Sequence, residues 1–149
     1  MPDTPLGYDD ARRALDACAR DLARRGLAAV ITVADDHGEL IALMRMDGAP
    51  LSAIVIATNK AWTAARERRA SAEVGLAARH PETGFDIGYY GDWRYVGWGG
   101  GVPVLIGGAV AGAVGVSGAP EAVDIEVAAL GVEAIVKGRA TPERADRSR

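Results

Sequence analysis

The chain has 149 residues, 49% hydrophobic and 25% charged, which is the balance of one ordinary globular domain. A formal net charge of -3 argues against nucleic-acid binding, which needs a concentrated basic surface. No apolar run approaches the ~20 residues that span a bilayer, and residues 1–8 lack the pattern of a secretion signal. Because Cys18 is the only cysteine, no intrachain disulfide can form, and we expect a cytoplasmic protein without membrane contact.

The first part of the chain predicts a helix followed by a β-hairpin. Apolar residues repeat at helical spacing between Asp9 and Gly26, and they form one stripe: Ala11, Leu15, Cys18 and Leu22. Two short apolar runs, 28–34 and 40–46, then flank a turn that contains glycine. Such a pair of runs is typical of a β-hairpin.

The rest of the chain predicts two helices, a second hairpin and a last helix. The helices are expected at 51–68 and 71–79, with Ser71 as the N-cap candidate of the second. The hairpin and the last helix follow at 102–106, 109–116 and 120–137, and the helix carries an apolar stripe of Val123, Val127, Leu130 and Ala134. Tight hairpins mean antiparallel strands, so we predict an α+β fold with helices covering one antiparallel sheet. We expect one domain over residues 9–137, with flexible termini at 1–8 and 138–149.

Several short motifs follow one another in an order that resembles a known family. They are Arg45-Met46-Asp47-Gly48-Ala49, Lys60-Ala61, Thr63-Ala64-Ala65, Gly99-Gly100-Gly101-Val102-Pro103, Gly112 to Gly118, and Asp124. In this order and spacing, over roughly residues 9–136, the chain resembles the GlcG/HbpS family, which includes the C-terminal domain of some PduO proteins. The resemblance implies a profilin-like fold, in which helices pack on a five-stranded antiparallel sheet. It also implies homo-oligomers, often octamers, and some relatives bind haem and are linked to haem degradation or iron sensing.

Three charged residues are candidates for catalysis. Arg45 and Asp47 are two residues apart, so they are expected on one strand face, where the arginine can hold a carboxylate ligand. Alternatively, they pair with each other or cap the next helix. Lys60 shares the small apolar face of the helix at 51–68. There it binds an anion or acts as a base or nucleophile in a cavity, extends outward to solvent, or forms a salt bridge between subunits.

The glycine run and one serine are candidates for ligand binding. Gly99, Gly100 and Gly101 can present backbone N–H groups to an anion, or they can allow close backbone approach where a strand begins. The run is not a phosphate-binding loop, because no G-K-[ST] sequence and no helix follow it. Ser117 precedes the last helix, so it either contacts a ligand at the positive helix end or only caps and turns the chain.

An aromatic loop before the glycine run is the most individual part of the sequence. Within the loop at 85–98, the candidate ligand-binding residues are Tyr89, Tyr90, Trp93, Arg94 and Trp98. Tyrosine and tryptophan suit a flat ligand through stacking and hydrogen bonding, but they suit a protein interface equally well. The family pattern has a shorter loop here, which indicates a ligand or a subunit contact particular to this chain.

The two histidines do not predict a metal site. His37 lies in the first predicted hairpin turn and His80 precedes Pro81, and neither has a partner at metal-ligand spacing. A single histidine can ligate haem, so His37 is a candidate haem ligand, although a turn histidine is usually exposed.

Three functions fit these residues. The first is a small-molecule-binding protein of the GlcG/HbpS type, with haem as a candidate ligand. The second is a cofactor-independent isomerase, lyase or cyclase acting on a small anionic or aromatic substrate, in which Lys60 or Asp47 transfers a proton. The third is an accessory oligomeric subunit of a neighbouring enzyme, with the aromatic loop as its interface.

Overall fold

A computed structural model describes residues 5–140 of the chain. The elements in chain order are α1 (Tyr8–Arg24), β1 (Val30–Asp35), β2 (Leu40–Arg45), α2 (Ala53–Glu67), α3 (Ser71–Ala78), a 3₁₀ turn (Ile87–Tyr90), β3 (Gly101–Ile106), β4 (Ala109–Ser117) and α4 (Glu121–Ala140). The strands form one antiparallel sheet in the order β2-β1-β4-β3. The predicted α+β class is therefore confirmed.

The expected five-stranded sheet is wrong, because the sheet has four strands. Among the described residues, the long segment between α3 and β3 contains only the 3₁₀ turn and irregular backbone. Side chains of the helices hold this segment in place of a strand ladder. The Thr63 hydroxyl accepts from Val96 N–H and donates to the Arg94 carbonyl, and the Ser71 hydroxyl donates to the Trp98 carbonyl. Backbone groups satisfied in this way do not need a neighbouring strand.

Helices cover both faces of the sheet. Because side chains alternate along a strand, Ile31 and Val33 of β1 pack in the main core with α1 and α4. The alternate residues of β1 face α2, where Val30 packs on its alanines and the Thr32 hydroxyl donates to the Ala57 carbonyl at 2.8 Å. α2 and α4 therefore approach the sheet from opposite sides.

Small residues bring the layers unusually close together. A Cβ added to Gly115 of β4 would lie 2.2 Å from the Ala57 carbonyl oxygen of α2. On the other face, a Cβ added to Gly131 of α4 would lie 2.7 Å from the Cys18 sulfur of α1. The abundance of glycine and alanine in the sequence thus reflects close helix–sheet and helix–helix packing.

Several element boundaries differ from the sequence expectation. Ser71 is the first residue of α3 and not its N-cap, which is Ala70. Gly138 does not end α4, which continues to Ala140, and its buried face is Asp124, Val127, Ala128, Gly131 and Ile135. Leu6, within the start expected to be flexible, is buried, and its N–H donates to the Ala111 carbonyl of β4. The remainder of the expected flexible termini, 1–4 and 141–149, lies outside the described residues. No helix within 5–140 has the length and hydropathy to cross a bilayer.

Candidate functional site

A buried ion pair forms beyond the end of the sheet, where helices from its two faces come together. Lys60 of α2 is only 3% exposed, and its ammonium lies 3.2 Å from the Oδ2 atom of Asp124 in the first turn of α4. The same ammonium donates to the Val116 carbonyl at 2.9 Å. Lys60 therefore points inward, and its partner is a carboxylate of the same chain.

Burial shifts both partners toward their neutral forms. Loss of water around the ammonium lowers the pKa of Lys60, although the Asp124 charge opposes this shift. Burial likewise raises the pKa of the Asp124 carboxyl, against the Lys60 charge and the N–H group of Ala119, which donates to Oδ1 at 3.1 Å. Shifted pKa values in a cavity mark candidate acid–base residues, and structural ion pairs show such shifts as well.

The ion pair forms one wall of a polar cavity of about 230 Å³. The cavity is lined by Lys60, Trp98, Ser117, Gly118, Ala119, Glu121 and Asp124. The Glu121 carboxylate also accepts from Gly99 N–H at 2.9 Å. Two carboxylates against one ammonium leave an excess negative charge, so the cavity suits a neutral or hydrogen-bond-donating group better than an anion.

A second, larger and mostly apolar cavity has a volume of about 430 Å³. Its walls come from α3 and the long loop, and they are Gly75, Ala78, Arg79, Phe85, Asp86, Ile87, Tyr95, Val96, Gly97 and Trp98. Trp98, which is 57% exposed, lines both cavities, so the apolar space and the cavity of the Lys60–Asp124 pair adjoin at this residue. An apolar space with a few polar groups at one end is typical of small-molecule sites.

The glycine run lies directly behind the ion pair. A Cβ on Gly101 would be 2.2 Å from the Lys60 carbonyl oxygen, and one on Gly100 would be 2.9 Å from the Lys60 ammonium. Gly101 N–H donates to the Ser71 hydroxyl, as Gly99 N–H donates to Glu121. The close approach fits the second interpretation of the run, whereas two of the three N–H groups expected to bind an anion are already hydrogen-bonded.

The structure separates the residues of the aromatic loop. Tyr89 and Trp93 are 88% and 96% exposed and line neither cavity. Tyr90 stacks on Tyr95, with ring centroids 4.2 Å apart. Arg94 pairs with Asp92 at 2.9 Å and lies over the Trp62 ring. Of the five predicted ligand residues of this loop, the described structure places Trp98 at the cavities.

Arg45 and Asp47 are exposed and line neither cavity, and Asp47 lies in the turn after β2 rather than on a shared strand face. Both stand at the same end of the sheet as the site, because Val30 pairs with Arg45 on one side and with Ser117 on the other.

His37 follows the opposite end of β1 and is exposed. At ~3.3 Å per residue, β1 separates the site from the His37 turn by roughly 15 Å.

The sequence did not indicate which residues contact its candidate site residues. Asp124 was part of the family motif, but its role as the partner of Lys60 was not predicted. Its position one turn inside a predicted helix start, after Ser117, was the available signal. The apolar cavity was missed because α3 and the loop meet only in three dimensions. Within residues 5–140, no cluster of histidine, cysteine and acidic side chains could hold a metal ion.

A family model described as "Haem degrading protein HbpS-like" matches residues 6–133. Protein GlcG of Escherichia coli K12 is 40% identical over 87 residues, 58% of this chain and 62% of that protein. A 15.0 kDa protein from the dhaT-dhaS intergenic region of Citrobacter freundii is 37% identical over 89 residues, 60% of this chain and 63% of that protein. The matches thus span less than two thirds of these curated relatives.

Solved structures agree in fold. Klebsiella pneumoniae protein ORFY has a TM-score of 0.83 at 28% identity, and the superposition covers 89% of this chain and 92% of the ORFY chain. A double mutant of Streptomyces reticuli HbpS has a TM-score of 0.77 at 26% identity, covering 87% and 86%. A PduOC:Heme complex, at 24% identity, has a TM-score of 0.82 and covers 88% and 95%, which shows the fold alone. The resemblance noted in the sequence is confirmed: the chain belongs to the HbpS-like family.

Proposed function

We propose that this chain binds a small organic ligand in the cleft formed by the polar and the apolar cavity, which adjoin at Trp98. The observation that carries the proposal is the buried Lys60–Asp124 pair in the wall of a cavity. Burying an ion pair costs more solvation free energy than apolar residues of the same size would, so a fold does not need one. The pair is better explained as the polar end of a binding site whose other end is the apolar cavity.

The test of this proposal uses 1-anilinonaphthalene-8-sulfonate, whose fluorescence rises in apolar sites and whose sulfonate suits Arg79 of the apolar cavity rather than the acidic polar cavity. We expect Trp98→Ala to weaken its binding up to roughly tenfold, because the residue, although 57% exposed, lines both cavities and an aromatic contact is worth ~0.5–1.5 kcal/mol. Trp93→Ala is the matched control, since Trp93 is an exposed indole outside both cavities. Equal loss in both variants, or loss only in Trp93→Ala, would refute the cleft as the site.

Haem is the ligand that the relatives suggest, through the HbpS-like family description and the PduOC:Heme complex. The residues of this chain do not fit a haem held by histidine in the cleft. His37 and His80 line neither cavity, and the Nδ1 atom of His80 accepts hydrogen bonds from two backbone N–H groups. Tyr95 does line the apolar cavity, but burial raises the pKa of its phenol and so disfavours the phenolate that iron binds.

Haemin titration tests this point separately. On our proposal, any Soret shift that wild type gives persists in His37→Ala, because His37 lies at the other end of β1. A Soret shift that disappears in His37→Ala, while the folded state is retained, would assign haem to that histidine and contradict the cleft.

Proton transfer is the second candidate function. The Lys60 ammonium and the Asp124 carboxylate lie 3.2 Å apart in the polar cavity, within reach of a ligand group there. Asp124 can take a proton from carbon beside a carbonyl and Lys60 can return one to the neighbouring atom, which is an isomerisation without a cofactor. In this proposal Asp124 is the carboxylate that transfers the proton, a role for which the sequence indicated Asp47. A screen of neutral hydroxy ketones and diketones in D₂O should find deuterium incorporation that Asp124→Asn abolishes and Asp47→Asn retains.

We also propose that the chain forms a homo-oligomer, with an octamer as the expected assembly. Trp93 and Tyr89 are almost fully exposed, which is unusual for large aromatic residues outside an interface. The accessory-subunit hypothesis relies on the same surface. Light scattering on Trp93→Ala should reveal a smaller particle with unchanged cleft binding; an unchanged mass would remove these aromatics from the assembly.

A further inference from the structure

β2 is an edge strand whose outer side is open. It hydrogen-bonds to β1, and no other segment of residues 5–140 bonds to its outer side. Unpaired backbone groups on an edge are a ready template for another strand, and proteins usually block them with charges or proline. The opposite edge, β3, is protected in this way by Pro103, whose nitrogen cannot donate a hydrogen bond.

The pairing of β2 with β1 contains one β-bulge, at Ile41, but the sequence of β2 lacks the protection of charge or proline. From Leu40 to Met44 the strand has no charge and no proline, and all five side chains are at least partly exposed. The segment that begins α2 adds to this apolar surface: Ile54 packs in the same cluster as Leu43, while Leu51 and Val55 are 72% and 62% exposed. An uncharged edge beside exposed apolar side chains is the composition of an interface.

We infer that two copies of this chain pair through β2, antiparallel about a two-fold axis, and join their sheets into one of eight strands. The inference deepens the homo-oligomer part of the proposed function. Its second support is charge. Glu39 precedes the strand and Arg45 ends it, so antiparallel pairing centred near Ala42 brings Glu39 of each copy beside Arg45 of the other. A two-fold interface must be self-complementary, and these two charges are. Within one chain Glu39 forms an exposed ion pair with Arg94 at 3.8 Å, which the contact across the axis would join or replace.

Charge reversal tests the register. Glu39→Arg or Arg45→Glu alone sets two like-charged pairs across the axis, so we expect the association constant measured by sedimentation equilibrium to fall roughly tenfold. The double variant restores both pairs with the charges exchanged, and association should return to within about twofold of wild type. Glu82→Arg, at an exposed loop position, is the control for the change in net charge.

A second variant tests the backbone pairing. Met46 N–H donates to Ala29 of the lead-in to β1, so by alternation the N–H of Leu43 faces outward. Leu43→Pro removes that outward donor and leaves the β1 ladder its hydrogen bonds, so the particle should halve in mass. If Leu43→Pro does not fold, the charge-reversal variants decide whether β2 pairs between copies.

Assembly that survives every β2 variant overturns this inference and leaves a homo-oligomer built elsewhere. The inference is also overturned if the double variant associates no more strongly than the single variants. A wild type that is monomeric at about 100 µM overturns both the inference and the proposed oligomer. Binding of 1-anilinonaphthalene-8-sulfonate, measured on the same samples, reports separately on the cleft.

Discussion

The Lys60 ammonium and the Asp124 carboxylate lie 3.2 Å apart although their helices pack on opposite faces of the sheet. They meet beyond the sheet's end, beside the Val116 carbonyl, so this single contact joins the two layers and forms a cavity wall. The structural cost and the proposed chemical use of the pair can therefore be measured at the same two positions.

Removing one partner should destabilise the fold more than removing both. Lys60→Met leaves Asp124 as an uncompensated buried charge, for which we expect a loss of ~3–5 kcal/mol in the free energy of unfolding. Lys60→Met combined with Asp124→Leu removes both charges and should recover most of that loss. Urea unfolding followed by circular dichroism measures the three proteins; a double variant less stable than either single one would mean that the pair is itself a net source of stability.

The pair should also shape the pH dependence of stability. Because the pKa of Asp124 is raised on folding, the folded state binds more protons above pH ~4, and stability falls as pH rises through the raised pKa. Because the pKa of Lys60 is lowered on folding, the unfolded state binds more protons between the lowered pKa and ~10.4, and stability rises again there. The difference in unfolding free energy between wild type and the doubly substituted protein should thus be least favourable to wild type between these windows.

The sequence predicted the lysine but not its environment. Its place among Ala53, Ala57 and Ala64 was readable from helical spacing, and all three alanines are buried. Asp124 could not be assigned to it, because 63 residues, which include β3 and β4, separate the two in the chain. Helical periodicity specifies which face of α2 is buried, but not which side chain of another layer meets that face.

The extra strand expected from the family was wrong for a related reason. The loop before β3 is rich in residues of high strand propensity, such as Tyr95, Val96 and Trp98, yet it forms no ladder. Hydrogen bonds from Thr63 and Ser71, on two different helices, satisfy its backbone instead. Tertiary contacts of this kind override local propensity and leave no pattern in the sequence.

Close packing at Gly101 should make it intolerant of a methyl group. A Cβ there would be 2.2 Å from the Lys60 carbonyl oxygen, a backbone atom that cannot move alone. We expect Gly101→Ala to lower the free energy of unfolding by roughly 2 kcal/mol or more, as overpacked core substitutions do. Gly7→Ala is the control, because nothing lies within 4 Å of a Cβ at that position. Equal effects of the two changes in thermal unfolding would contradict the packing.

Cys18 should be inert until the protein unfolds. Burial, with a smaller contribution from the Asp21 charge, raises the pKa of its thiol to about 12, so almost no thiolate exists at pH 8. As the only cysteine of the chain, it reports one event. Its reaction with Ellman's reagent should proceed at the rate of opening and reach one thiol per chain in urea; immediate reaction in the native protein would mean that α1 and α4 separate readily.

The three tryptophans allow the most direct test of the ligand site, because Trp62 is buried, Trp93 is exposed and Trp98 lines both cavities. Each gives one indole N–H signal in a ¹⁵N correlation spectrum, assigned through Trp93→Phe and Trp98→Phe. On titration with 1-anilinonaphthalene-8-sulfonate, the cleft account predicts that the Trp98 signal shifts and the Trp93 signal stays in place. A Trp93 signal that shifts while Trp98 does not would contradict it.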